Sequence, residues 1–220
     1  MSSTIQFVNV SSIGSDSQTM GTYDLVTGQY NTAPFVTAAY KPYREESPEA
    51  QALWKYLRTV FPGEGEAEKN MRILAEALVP SGDHSLIVFY GEGCNGKTVF
   101  RTFLKRALGG YYNMTELTTN TEHSIFHDIY RCQYGEHQAI VFTEEERECL
   151  EKIVCTPLIE SNTMVLNVPH RRIDFTVNFS LEERFVLPEG YWWSPALPGT
   201  LLGLLIHYAS ANAEATKSAK

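Results

Sequence analysis

Gly91-Glu92-Gly93-Cys94-Asn95-Gly96-Lys97-Thr98 fits the phosphate-binding loop pattern G-x-x-x-x-G-K-[ST] at every fixed position. The residues before it, Leu86-Ile87-Val88-Phe89-Tyr90, form a short apolar run that reads as a buried parallel strand. The residues after it, Val99 to Leu108, have helical spacing, with Phe100, Phe103, Leu104 and Ala107 on one face. Strand, glycine loop and helix in that order are the setting the motif requires. Glycines let successive backbone N–H groups turn inward around a phosphate, and the helix N-terminus adds partial positive charge there. The expected nucleotide contacts are Gly91, Gly93, Cys94, Asn95, Gly96, Lys97, Thr98 and Val99. Lys97 would reach the β- and γ-phosphates of ATP, and the Thr98 hydroxyl would ligate Mg²⁺. The fold class that follows is α/β, a P-loop nucleotide-binding domain with a central parallel sheet and flanking helices.

A chain of 220 residues with 43% hydrophobic content is long enough to bury a sizeable core. Its net charge of −8 argues against a protein that coats nucleic acid, and makes any local basic cluster notable. The four cysteines, Cys94, Cys132, Cys149 and Cys155, include no C-x-x-C pair, and one lies in the glycine loop. A disulfide framework is therefore not expected, and a reducing, intracellular setting is. No apolar run reaches membrane-spanning length, no signal-peptide pattern is present, and no membrane association is expected.

Three regions are expected: an N-terminal extension over 1–48, an ATPase domain over 49–210 and a flexible polar tail over 211–220. Tyr23 to Tyr30 reads as a β-hairpin turning at Thr27-Gly28, and Thr37 to Pro48 as a linker. Glu49 to Phe61 is helical, with Ala52, Leu53, Tyr56, Leu57 and Val60 on one face and Pro62-Gly63 as the stop. Ala67 to Val79 is a second helix. Past the glycine loop, Tyr111 to Thr119 contains a strand, and Gln138 to Phe142 reads as another buried strand. Thr163 to Ile173 suggests a hairpin with a basic tip, Asp174 to Asn178 a further strand, and Leu197 to Ala209 a last apolar helix.

Hydrolysis needs a carboxylate at the end of a neighbouring strand, where open α/β sheets place their ligands. Phe142-Thr143-Glu144-Glu145 supplies acids after an apolar run. Glu144 is the first choice for orienting water and helping hold the metal, and Glu145 is the fallback. The competing reading makes Glu144, Glu145 and Glu146 an acidic helix start favoured by the helix dipole, which suits Glu146 best. Asn178, at the end of the next expected strand, either polarises the γ-phosphate or the attacking water or closes the strand for structural reasons. His170, Arg171 and Arg172 form the dense basic cluster, either a contact for nucleic-acid phosphates or a solvated turn.

With Asn95 just before the last glycine, the loop resembles that of the superfamily-3 helicases. It is most similar to the poxvirus-type primase-helicases of large DNA viruses, phages and plasmids. Tyr23 to Gly28 is similar to the D-L-x-T-G hairpin that precedes the helicase domain in that group, and Trp54 to Pro62 to its pre-core helix. Leu108-Gly109-Gly110-Tyr111-Tyr112 resembles the L-G-x-Y-Y after the first core helix. Phe142-Thr143-Glu144 takes the Walker B place, Lys152-Ile153 a lysine-bearing helix, Asn178 the sensor position, and Leu197 to Tyr208 the closing lid helix.

The resemblance implies an AAA+-like ATPase that assembles as a hexameric ring and moves single-stranded DNA in the replication of a viral or mobile-element genome. Primase and other replication proteins are its implied partners. His170, Arg171 and Arg172 map to the DNA hairpin, and Arg184 is the residue available as an arginine finger. Two departures stand out: Thr143 replaces the common Asp, and the stretch after Asn178 is short. The chain has no room for a primase domain, so it reads as helicase-only, as a fragment or as a reduced relative. A degenerate nucleotide-binding partner subunit and a small P-loop kinase are the rival readings.

Overall fold

The computed structural model describes residues 4–5, 20–24, 30–33, 42–79, 83–115, 117, 124–129, 139–153, 155–179 and 196–218. The first described elements are short strands, β1 (Thr4–Ile5), β2 (Met20–Asp24) and β3 (Tyr30–Ala33). They form a three-stranded antiparallel sheet in the order β1-β2-β3, with Tyr23 opposite Tyr30. The expected hairpin thus exists as a strand pair, while its turn at Thr27-Gly28 falls outside the described residues.

Two helices follow, α1 (Pro48–Val60) and α2 (Glu66–Glu76). Ser47 caps α1 by accepting a hydrogen bond from Ala50 N at 3.1 Å, and Pro48 sits in the first turn, where its missing N–H costs nothing. Next come β4 (Leu86–Tyr90), α3 (Lys97–Leu108), β5 (Tyr112–Thr115), β6 (Phe126–Ile129) and β7 (Ile140–Val141). The remainder is α4 (Glu144–Lys152), β8 (Thr156–Ser161), β9 (Val165–Leu166), β10 (His170–Asp174) and α5 (Ala196–Ser218). α5 outlasts the apolar run Leu197–Ala209, because Ala211, Ala213 and Ala215 are strong helix formers.

The central sheet has five parallel strands in the order β10-β4-β8-β6-β5. β4 feeds both faces, as a strand's two-residue period dictates. Ile87 and Phe89 join a large cluster with residues of α1, α2, α3 and α5, where Phe61, Phe89, Phe100 and Phe175 pack with ring centroids 5.0–5.9 Å apart. Leu86 and Val88 join a second cluster with Ile129, Ile140, Phe142, Ile159 and Val165. The architecture is a mixed α/β fold with a central parallel sheet and flanking helices.

Three expectations change here. The run expected as a strand over Gln138–Phe142 is described from Ala139 on, and its strand, Ile140–Val141, does not join the central sheet but pairs with β9 in a separate two-stranded sheet. The basic cluster is not a hairpin tip. His170, Arg171 and Arg172 lie in β10, at the edge of the central sheet, opposite Leu86, Ile87 and Val88. The strand expected over Asp174–Asn178 ends at Asp174, so Asn178 closes no strand.

Candidate functional site

The glycine loop leaves the carboxyl end of β4, between the ends of β8 and β10, and turns into α3. Two glycines are needed for its path. Gly91 has φ 152°, and a Cβ there would overlap Asn95 Nδ2 and the Phe175 carbonyl oxygen. Gly96, at φ 87°, is the N-cap of α3 and provides no side chain to cap it. The first turn of this 12-residue helix therefore gets no capping bond from its own N-cap, and Lys97 N, at its start, donates to Asn95 Oδ1 at 3.3 Å.

Lys97 is buried, and its Nζ donates to Gly91 O at 2.5 Å, Glu92 O at 2.8 Å and Asn95 Oδ1 at 3.1 Å. Burial lowers its pKa from the ordinary lysine value, against an opposing pull from the Glu160 charge. Thr98 Oγ1 donates to Glu160 Oε1 at 2.8 Å. Glu160 stands near the end of β8, the strand hydrogen-bonded to β4, with Phe89 as its register partner. Its other oxygen meets Arg101 of α3 at 3.1 Å, and Arg101 also reaches the buried Asp128 of β6 at 3.3 Å. Asp128 accepts a 2.7 Å hydrogen bond from Tyr112. Burial raises the Asp128 pKa, although Tyr112 and Arg101 pull it down.

A cavity of about 570 Å³ opens beside the loop. Its lining includes Gly93 to Val99, then Glu160 of β8 and Asn162 just past the end of that strand, and Tyr56, Thr59 and Val60 from α1. Phe179 completes the lining. The size falls within the ~300–1,000 Å³ of ordinary ligand sites. A hydroxyl and a carboxylate in contact form an oxygen pair suited to Mg²⁺, which usually takes only one or two protein ligands alongside phosphates and water. Among the described residues no group of three His, Cys, Asp or Glu side chains is placed to hold a metal by itself. No helix among them is long and apolar enough to cross a membrane.

Among the described residues, the other side chains expected in catalysis or DNA contact are not brought to this cavity. Glu144 is exposed at the start of α4 and ion-pairs with Arg147. Thr143 caps α4 with a reciprocal capping box, Glu146 N to Thr143 Oγ1 at 3.2 Å and Thr143 N to Glu146 Oε2 at 2.8 Å. Glu145 is exposed too, its carboxyl held below the ordinary range by its own backbone N–H and the Thr143 hydroxyl. The acidic triplet is a helix start, the reading that already suited Glu146. Asn178 is exposed in the irregular segment after β10 and does not line the cavity, whereas its neighbour Phe179 does.

The basic cluster is spent on local partners. Arg171 bonds Glu76 at 2.6 Å and approaches Asp83 at 3.4 Å. Arg172 pairs with Asp174 at 2.8 Å and lies over the Tyr90 ring, while His170 Nδ1 contacts Val168 O at 3.0 Å. Arg184 lies outside the described residues.

Sequence reasoning missed Glu160 and Asn162. Their signal was the run Leu158-Ile159-Glu160-Ser161-Asn162, an apolar pair ending in acid and amide. Pro157 hid it, since proline argues against a central strand, yet β8 lies between β4 and β6.

No family model matches this chain, and no curated protein matches it. Among solved structures, the chain is similar to the A-form apo structure of the NrS-1 C-terminal region, with a TM-score of 0.48 and 11% sequence identity. That match covers 94% of this chain and 68% of the other.

Proposed function

We propose that this chain is a Mg²⁺-dependent nucleoside triphosphatase that binds ATP at the 91–98 loop. One observation carries the reading: Thr98, in the first turn of α3, is hydrogen-bonded to Glu160 on the strand beside β4, next to the buried Lys97 ammonium. Lys97 supplies positive charge for the β- and γ-phosphates, and the first-turn N–H groups of α3 add to it. Thr98 and Glu160 are the protein oxygens for Mg²⁺. Bound there, the ion would neutralise phosphate charge as the terminal bond breaks. Glu160 thereby takes the metal-holding role first assigned to Glu144, and Asn162 replaces Asn178 as the polar side chain beside the γ-phosphate.

The helicase-type reading adds translocation on single-stranded DNA in a hexameric ring, during replication of a viral or mobile-element genome. It rests on the resemblance of Gly91–Thr98 and its flanking segments to the superfamily-3 pattern. Phosphate release from Mg²⁺-ATP, with and without single-stranded DNA, tests both levels. Lys97→Ala and Glu160→Gln should each lower turnover by about 10²–10³, the usual cost of removing one preorganised electrostatic group. Glu144→Gln should turn over at the parent rate. A slow Glu144→Gln beside a normal Glu160→Gln would reverse the assignment. ATP binding without phosphate release in the parent would support the nucleotide-binding partner subunit instead.

A further inference from the structure

The loop holds its own lysine. The bonds from Lys97 Nζ to Gly91 O, Glu92 O and Asn95 Oδ1 occupy all three ammonium hydrogens. Two of those acceptors are backbone carbonyls that any sequence supplies, and Asn95 is the one side chain among them. Its Oδ1 also accepts from Lys97 N at 3.3 Å, and its Nδ2 donates to Phe175 O at 3.0 Å. Asn95 is 3% exposed, so each of these bonds is made away from water.

The chemistry singles out an amide. Acceptor and donor must sit on one short side chain, facing Lys97 and Phe175 respectively. An ionised aspartate offers Phe175 O no donor, and leucine offers neither group. Gly91 keeps the space, because any Cβ there would overlap Asn95 Nδ2. The segment 175–179 is joined to the loop a second time, by Phe179 N donating to Cys94 O at 2.9 Å. One buried amide therefore connects the lysine, the loop and the segment that follows β10.

We propose that Asn95 is a positioning residue: its Oδ1 keeps the Lys97 ammonium on the loop until a polyphosphate displaces it, and its Nδ2 couples that displacement to residues 175–179. This is regulation of the site described above and rests on its phosphate-binding reading. To meet a triphosphate, Lys97 exchanges internal acceptors for phosphate oxygens. Asn95 Oδ1 is the acceptor carried on a rotatable side chain, so it sets how readily the exchange occurs.

The test uses the full chain and inorganic tripolyphosphate. Acylation of Lys97 is followed by peptide mass spectrometry in the parent, N95L and N95D. The parent and N95D, which keeps an acceptor, should label slowly. N95L keeps the volume but loses the acceptor and should label about tenfold faster, the worth of one hydrogen bond to a charged group. Saturating tripolyphosphate should slow labelling in all three. Parent-like labelling of N95L means that Asn95 only fills space and overturns the proposal, as does N95D labelling as fast as N95L. If N95L does not fold, the parent decides alone: the Asn95 side-chain amide resonances should shift on saturation with tripolyphosphate, and unmoved resonances overturn the proposal. Calorimetry of the parent against Lys97→Ala separates the two levels. Equal tripolyphosphate affinity would sink the phosphate reading itself, whatever the labelling shows.

Discussion

The Lys97 ammonium is both the charge a phosphate needs and a group that water has largely left. Desolvation works against its proton, which would make the proposed phosphate binding sensitive to pH on the alkaline side. The ammonium is the form that attracts phosphate. ATP affinity should therefore be full below the lowered pKa of the folded protein and fall as pH rises through it, before the ordinary lysine value of 10.5 is reached. Calorimetric titration with ATP from neutral to alkaline pH measures this, with Lys97→Arg as the comparison. A guanidinium stays charged throughout that range, so the variant should lose the alkaline decline whatever its absolute affinity. A parent affinity that stays constant past pH 10.5 would contradict the assignment of Lys97 as the phosphate's partner. In sequence, the place of Lys97 at the start of α3 was legible because strand, glycine loop and helix follow in order. The bond from Asn95 to Phe175 was not, because it joins residues 80 positions apart.

Between elements, Arg101 ties α3 to two strands of the sheet through Glu160 and Asp128. Removing it leaves the fully buried Asp128 carboxylate with Tyr112 but without its guanidinium. Arg101→Ala should cost about 2 kcal/mol at neutral pH, below the usual toll for a buried pair because Arg101 is partly exposed. The deficit should shrink on acidification. Asp128 already has a raised pKa, and losing Arg101 raises it further. The Asp128 share of the variant's extra cost is thus complete above both folded-state pKa values and disappears once Asp128 is protonated in both proteins, leaving the smaller share from the more exposed Glu160 pair. Urea unfolding at neutral and at mildly acidic pH reads the difference, and a deficit independent of pH would show that packing, not charge, is lost. This scale also separates what the sequence revealed from what it concealed. β4 and α3 were legible because their apolar residues follow the two-residue and 3.6-residue periods cleanly. Gln138–Phe142 misled because an apolar run alone does not say which sheet it joins, and Val141 is in fact 55% exposed. β8 was hidden by Pro157, and the basic run 170–172 looked like a tip because the alternation breaks at Pro169 just before it, although charged side chains are common on edge strands.

Across the whole molecule, the order β10-β4-β8-β6-β5 gathers the site. It places β8, late in the sequence, directly against β4, so that Glu160 meets Thr98 across 62 positions. Periodicity is a local signal and carries no information about such pairings, which is why the class of fold was readable and the strand that carries Glu160 was not. The helical layer on one face of the sheet is closed by α5, which packs against α1, α2 and α3. Leu205 is fully buried there, with Leu201, Leu204 and Ala209 as equally buried neighbours on the helix. Among the described residues, none of α5 lines the cavity beside the loop. Leu205→Ala should therefore separate stability from ligand binding. The cavity left behind should cost about 2–5 kcal/mol of unfolding free energy. ATP affinity, measured where the variant is still folded, should match the parent, because Lys97, Thr98 and Glu160 are held by β4, α3 and β8. Urea melts followed by the tryptophan signal give the first quantity and calorimetry the second. A loss under ~1 kcal/mol would mean that α5 does not close the core. Parallel losses of stability and affinity would mean that the helical layer, and not the sheet end alone, shapes the proposed nucleotide site.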